Sequence, residues 1–260
     1  MRAVHTRPVI GLSAEFALLA VLAWTVGLSV PGWSAGIACA VITNAAVARC
    51  LLHHGADKLG PAGRVTLTRA TIACGVAALT VESFWRPASA TTLVALTVLA
   101  LILDAVDGWV ARRTGTVSAF GARFDMEVDA FLILVLSGYV ARSTGAWVLA
   151  IGAARYLFVA AGWVRPWLRA SVPPRYWAKA VAAVQGVVLT FAAAQVVTHQ
   201  VADAALVASL ALLAESFGRE VSWLWRHRPI APRKIVSSVA TLHQPRVQQR
   251  VPAVGGVRSG

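Results

Sequence analysis

The chain has 260 residues, of which 58% are hydrophobic and only 13% are charged, and its mean hydropathy is +0.68. A soluble domain is about half apolar and about a quarter charged, so this composition excludes an ordinary soluble protein and indicates an integral membrane protein. The net charge of +13 is typical of a membrane protein with one face on anionic lipid. We therefore expect membrane lipids, and no nucleic acid, as partners.

Eight apolar segments are candidates for transmembrane helices. A bilayer core about 30 Å thick is crossed by about 20 apolar residues of α-helix. The segments that meet this requirement are roughly 9–30, 34–52, 65–84, 90–112, 119–141, 147–163, 178–198 and 202–225. The sequence therefore predicts an all-α polytopic membrane protein with about eight spans.

The distribution of basic residues predicts the orientation of these spans. If the N-terminus lies inside, the outer turns carry only Arg86 and Arg142, and the inner loops and the tail hold the other loop arginines and lysines. Cytoplasmic loops of membrane proteins are rich in Lys and Arg, so we expect both termini in the cytoplasm and the protein in the plasma membrane. Residues 226–260 are expected to form a basic, disordered cytoplasmic tail.

Five of the eleven acidic residues lie in DAVDGWVARRTGTVSAFGARFDMEVD, which joins the fourth and fifth spans. Asp104 and Asp107 are three residues apart and share one face of the fourth span; Asp125 and Asp129 are four apart and share one face of the fifth. A short cytoplasmic turn would bring the two faces together, so we expect four converging carboxylates. Glu127 lies off this face and is expected to be solvated.

The predicted carboxylate cluster needs cations. Each aspartate at the centre of a membrane helix costs about 2.5–3.5 kcal/mol, and the four would repel one another. We expect Arg112 and Arg123 to neutralise two of the four carboxylates. Divalent ions are expected to neutralise the other two. Oxygen ligands suit Mg²⁺, Mn²⁺ or Ca²⁺. The alternative is that Arg112, Arg113 and Arg123 form plain salt bridges with the aspartates at a solvated helix end.

The two spans also carry a fixed pattern, Asp104-x-x-Asp107-Gly108-x-x-Ala111-Arg112, eight residues, then Gly121-x-x-x-Asp125-x-x-x-Asp129. This pattern resembles the signature of the CDP-alcohol phosphatidyltransferases. The resemblance implies a transferase that moves a phosphatidyl or phospho-alcohol group from a CDP-linked donor, here CDP-diacylglycerol, to an alcohol, with release of CMP. It also implies a role in phospholipid biosynthesis.

The resemblance implies a role for each matched position. The four aspartates would hold a pair of divalent ions, Mg²⁺ or Mn²⁺, and Asp129 would also be the general base. Contacts to the CDP donor would come from the signature and from the similar element AGRVTLTRA, in which Gly63 stands where the family usually has Asn. These donor residues are Gly108, Ala111, Arg112, Gly121, Thr66 and Arg69.

The resemblance also implies a domain organisation. A catalytic core of six helices would occupy residues 65–225. Two extra transmembrane helices in residues 1–52 and an interfacial segment at 53–64 would precede it, and the tail 226–260 would follow. A homodimer is compatible with this interpretation.

The acceptor alcohol is left open by the sequence. Candidates for binding an acceptor phosphate are Arg155 in the middle of the sixth span and, in the loop that follows, Arg165, Arg169, Arg175 and Lys179. Arg155 alternatively pairs with Glu215 or Glu82. Inositol phosphate, glycerol phosphate, serine and a phospholipid remain candidate acceptors. Ala130 weighs against glycerol 3-phosphate, because phosphatidylglycerophosphate synthases often have Lys at that position.

Two other functions compete with this interpretation. An ion- or proton-coupled transporter would use the aspartates as relays, but it would not require the spacing of the glycines and the Ala111-Arg112 pair. A membrane prenyltransferase binds a diphosphate through Asp-rich helix ends, typically in two separated clusters. This chain has one compact acidic cluster, which favours the transferase signature.

Overall fold

The computed structural model describes residues 6–54, 61–114, 119–170 and 176–228, and the regular structure in these ranges is entirely helical. The eight α-helices are α1 (Thr6–Val26), α2 (Val30–His54), α3 (Pro61–Glu82), α4 (Ala90–Thr114), α5 (Ala119–Thr144), α6 (Leu149–Val164), α7 (Tyr176–Ala194) and α8 (His199–Arg226). Two 3-10 helices, Ala146–Val148 and Pro166–Arg169, flank α6. The predicted all-α fold is confirmed.

Each predicted span corresponds to one α-helix. Within the described residues, six of the helices are long and apolar enough to cross a membrane, and they are α2, α3, α4, α6, α7 and α8. The described apolar part of α1 is shorter, Leu12–Val26, and α5 carries three acidic residues in its first half. The chain is therefore a multi-pass membrane protein.

Helix α3 lies at the centre of the packing. It contacts α1, α2, α4 and α5, and residues 69–80 along it are all buried. Most of the side chains in that run are small, which lets neighbouring helices approach closely. At Gly75, for example, a Cβ atom would lie 2.9 Å from Leu18 Cδ2 of α1. The sequence of α3 thus explains how one helix is surrounded by four others.

The two N-terminal helices are joined to each other and to α3 by buried carboxylates as well as by apolar packing. Glu15 in α1 accepts a hydrogen bond of 2.7 Å from Asn44 Nδ2 in α2. Glu82, in the last turn of α3, accepts hydrogen bonds from the backbone N and the Oγ of Ser29 at 2.8 and 2.6 Å. Since Ser29 precedes α2, Glu82 fixes the start of α2 against the end of α3.

The helices that carry the acidic pattern, α4 and α5 (the signature helices), pack on common neighbours. Within the described part of the chain, α4 contacts mainly α3 and α7, and α5 contacts α3, α6 and α7. The sequence interpretation had placed the two signature helices directly face to face. In the structure α3 contributes a side chain between them.

The described helical unit ends close to the predicted end of the core. The compact unit that contains the eight helices extends to His227. Helix α2 continues to His54 and α3 begins at Pro61, so the described parts of the predicted interfacial segment are helical. Residues 55–60 and nearly all of the predicted tail lie outside the described residues.

Candidate functional site

A single buried arginine organises the acidic cluster. Arg69 of α3 is only 1% exposed, and its Nη1 lies 2.9 Å from Asp104 Oδ1. The same Nη1 donates to Asp125 Oδ1, and Nη2 donates to Asp129 Oδ1. The guanidinium therefore connects both signature helices to α3.

Three of the four predicted aspartates form one compact group. Carboxylate oxygens of Asp104, Asp125 and Asp129 (the carboxylate trio) lie within 4.8 Å of one another, and all three side chains are partly buried. Three oxygen ligands at this separation form the type of donor set that binds hard divalent cations in proteins. The prediction that residues of α4 and α5 converge is confirmed for these three.

The fourth aspartate, Asp107, lies beside the trio with a different partner. It is 5% exposed, and its Oδ2 accepts a hydrogen bond from the hydroxyl of Thr66 in α3. Its Oδ1 is buried and has no hydrogen-bond partner among the described residues. An unpartnered buried carboxylate oxygen is costly, so Asp107 can still accept a cation or a donor.

The residues present fit a divalent-metal site. Arg69 pairs with three of the four carboxylates and supplies one positive charge, so positive charge is still needed after Arg69 is counted. The trio supplies converging oxygen ligands, and Asp107 Oδ1 is an additional buried oxygen that lacks a described partner. Asp104, Asp125 and Asp129 can therefore hold a metal ion, and Asp107 can extend the site.

Among the arginines whose side chains are described, the one that pairs with the trio is not one of those expected to neutralise it. Arg113 lies over the ring of Trp109, 4.9 Å from its centroid, Arg123 is exposed, and the side chain of Arg112 lies outside the described part of the structure. Arg69, expected to contact the donor, is the residue that pairs with the trio. The sequence feature that could have identified this pairing is the position of Arg69 within an apolar span. A charged residue there requires a partner inside the membrane.

The other positions of the signature lie along the same helices. Gly108 follows Asp107 in α4, and Gly121 lies one turn before Asp125 in α5; both glycines are partly exposed. Ala111 is in the last turns of α4, and nothing is described of its side chain. The glycines at 108 and 121 therefore add no side chain beside the carboxylates.

Arg155 forms an ion pair, but not with either predicted partner. Its Nη2 donates to Oε1 of Glu127 in α5, which corrects the expectation that Glu127 is simply solvated. Glu215 pairs instead with Arg219 in α8, and Glu82 binds the start of α2. Hydrophobic periodicity could not identify this pair, because it depends on how α5 and α6 are rotated against each other.

The other acceptor candidates lie in the loop after α6 and at the start of α7. Lys179 is exposed on α7 and exerts an electrostatic attraction on the carboxylate of Asp104. Arg169 donates from Nε to the carbonyl oxygen of Gly162 at 2.8 Å. Arg165 is exposed at the end of α6, and Arg175 lies outside the described residues. Lys179 therefore contributes favourable charge near Asp104.

Comparison with protein-family models identifies the class of this site. Residues 62–215 match the model of the CDP-alcohol phosphatidyltransferases, and this range contains Thr66, Arg69 and all four aspartates. The chain belongs to the CDP-alcohol phosphatidyltransferase family. No curated protein and no solved structure matched the chain.

Membership of this family defines the reaction class. A CDP-alcohol phosphatidyltransferase transfers a phospho-alcohol group from a CDP-linked donor to an alcohol acceptor, and the family depends on divalent metal. Helices α1 and α2 precede the matched range. The resemblance found in the sequence is therefore confirmed for the core that contains the site.

The hydrogen bond between Thr66 and Asp107 can be tested by substitution. Replacing Thr66 with Val keeps the shape of the side chain but removes the hydroxyl, so Asp107 Oδ2 loses the hydrogen bond from Thr66. A hydrogen bond to a charged group contributes about 1.5–3 kcal/mol, and we expect Thr66→Val to slow CMP release about tenfold or more. Thr66→Ser, which keeps the hydroxyl, is the matched control. A Thr66→Val enzyme as fast as the wild type would show that this bond does not position Asp107.

Proposed function

We propose that this enzyme transfers a phosphatidyl group from CDP-diacylglycerol to an alcohol, with release of CMP, at the cytoplasmic face of the plasma membrane. The observation that carries the proposal is the carboxylate trio held by Arg69 inside the matched family range. The reaction depends on divalent metal, Mg²⁺ or Mn²⁺, and belongs to phospholipid biosynthesis.

The surface of α4 supports a lipid-linked donor. Besides its two aspartates, α4 exposes large apolar side chains, among them Ile102, Val106 and Trp109. Exposed apolar residues on a membrane helix face acyl chains at no cost in hydration. A donor with its diphosphate at the aspartates can therefore place a diacylglycerol chain along the same helix.

The four aspartates are the proposed metal ligands. Asp104, Asp125 and Asp129 provide converging oxygens, and Asp107 Oδ1 provides a buried oxygen with no described partner. When bound, the divalent ions neutralise the donor diphosphate and the charge that develops on the leaving CMP. Gly108, Ala111, Arg112 and Gly121 leave space for and contact the cytidine diphosphate.

Asp129 is the proposed general base. Its Oδ1 accepts a hydrogen bond from Arg69, so Oδ2 is the atom assigned to receive the acceptor proton. The acceptor oxygen forms a bond to the phosphorus that carries the diacylglycerol. The bond between this phosphorus and the bridging oxygen breaks, and CMP leaves with the electron pair. Arg69 and Thr66 orient the carboxylates for this step.

The acceptor is proposed to enter from the side of α7. Lys179 attracts the carboxylate of Asp104, so a phosphorylated acceptor bound by this ammonium would lie beside the carboxylate trio. Arg155 is held by Glu127 and would have to exchange that carboxylate for an acceptor phosphate. Arg165, Arg169 and Arg175 remain proposed contacts around the loop entrance.

The proposed reaction is tested with purified protein, CDP-diacylglycerol and a panel of alcohols. We expect CMP release and a new phospholipid, identified by mass, with an acceptor such as inositol phosphate, glycerol phosphate or serine.

Activity should require Mg²⁺ or Mn²⁺ and be lost with EDTA, because four carboxylates cannot be neutralised by Arg69 alone. Metal-independent transfer would contradict the proposal. Ion uptake by reconstituted vesicles without CMP formation would favour a transporter, and consumption of a prenyl diphosphate would favour a prenyltransferase.

The proposed base is tested by replacing Asp129 with Asn. The amide keeps the size of the side chain but cannot accept the acceptor proton, and positioned general bases contribute about 10²–10⁴-fold to the rate. We therefore expect CMP release to fall by about 100-fold or more. Asp203→Asn, the same change at an exposed position of α8, is the matched control and should retain activity. Normal turnover by Asp129→Asn would exclude Asp129 as the base.

A further inference from the structure

One set of three carboxylates is available for two different cations. The Oδ1 atoms of Asp104, Asp125 and Asp129 are the atoms that pair with Arg69. The same three residues each offer one carboxylate oxygen to the group within 4.8 Å that can hold a metal ion. A guanidinium and a divalent ion would therefore share the same three carboxylates, and their positive charges oppose each other there.

Arg69 is a buried and permanently charged neighbour of the metal site. It is 1% exposed, it lies in the most buried helix of the structure's described part, and its guanidinium stays protonated under all ordinary conditions. Its Nε is buried and has no hydrogen-bond partner among the described residues. A divalent ion at the trio thus meets a fixed positive charge nearby, and this repulsion lowers its affinity.

We propose that Arg69 is a built-in competitor of the catalytic metal, and that the donor diphosphate relieves the competition. A diphosphate brings oxygens that accept hydrogen bonds from the guanidinium and also ligate the metal. When it binds, Arg69 exchanges carboxylates for phosphate oxygens, and the carboxylates become available to the divalent ions. This inference rests on the proposed metal-dependent function and adds a coupling between metal and donor.

The coupling has a thermodynamic consequence. Because linkage between two ligands is reciprocal, the diphosphate must raise metal affinity by the same factor by which metal raises diphosphate affinity. The enzyme would bind Mg²⁺ or Mn²⁺ weakly by itself and tightly in the presence of the donor. It would therefore assemble the metal site chiefly when a CDP-linked substrate is present.

The test measures Mn²⁺ binding to the full-length protein in detergent, from the EPR signal of free Mn²⁺. Cytidine 5′-diphosphate (CDP) serves as a diphosphate probe that lacks the alcohol and so cannot turn over. We expect CDP to raise the Mn²⁺ affinity of the wild type about tenfold or more, after correction for the Mn²⁺ that CDP binds in protein-free buffer. Cytidine, which has no diphosphate, should have no effect.

The decisive variant is Arg69→Met, which removes the charge and keeps an apolar side chain on α3. We expect it to bind Mn²⁺ about tenfold or more tightly than the wild type without CDP, and to show a much smaller effect of CDP. Arg69→Gln, which is neutral but keeps hydrogen-bond donors for the aspartates, should shift in the same direction and serves if Arg69→Met does not fold. Arg219→Met removes an arginine from the ion pair with Glu215 on α8 and should behave like the wild type.

Each outcome separates this inference from the proposed function. Neutral variants at position 69 that bind Mn²⁺ as weakly as the wild type, or more weakly, would overturn the competition while leaving a metal-dependent transferase in place. A wild type whose Mn²⁺ affinity does not respond to CDP would also overturn it. A wild type that binds no Mn²⁺ with or without CDP would instead contradict the metal-dependent function itself.

Discussion

One buried guanidinium, which pairs with three carboxylates from two other helices, joins the helices that carry the site. A charge within a membrane helix is expensive unless it is paired, so neither Arg69 nor the aspartates can be placed in the bundle independently. Arg69 ties α3 to Asp104 of α4 and to Asp125 and Asp129 of α5. These contacts fix how the signature helices are rotated, and they direct Asp104, Asp125 and Asp129 towards α3.

The rest of the bundle keeps α3 in that position. Its run of mostly small, buried residues admits close neighbours on all sides. Helices α1 and α2 lie outside the range matched by the family model, yet both contact α3. The hydrogen bonds of Glu82 with Ser29 and of Glu15 with Asn44 fasten this N-terminal pair. The extra helices thus complete the packing around the helix that carries Arg69.

Much of this could be predicted from the sequence, and the limit has a physical cause. Apolar run lengths predicted all eight helices, and spacings of three and four placed the aspartates on one face of each signature helix. Such spacing shows which side of a helix the aspartates occupy, but it does not show which neighbouring helix packs against that side. The partners of Arg69 lie 35 to 60 residues away along the chain, so their pairing required the packing of α3. The alternative partners expected for Arg155, Glu82 and Glu215, were wrong for the same reason, since Glu127 meets it only across the contact of α5 with α6.

Divalent-metal binding by the aspartates of α4 and α5 is tested most directly by locating Mn²⁺ through its anomalous scattering in crystals of the full chain grown with Mn²⁺ and CDP. The geometry predicts an anomalous peak within about 2.0–2.6 Å of carboxylate oxygens from Asp104, Asp125 and Asp129, with Arg69 turned to the diphosphate. A peak bound by other residues, or bound CDP with no Mn²⁺ between its diphosphate and these three aspartates, would contradict it.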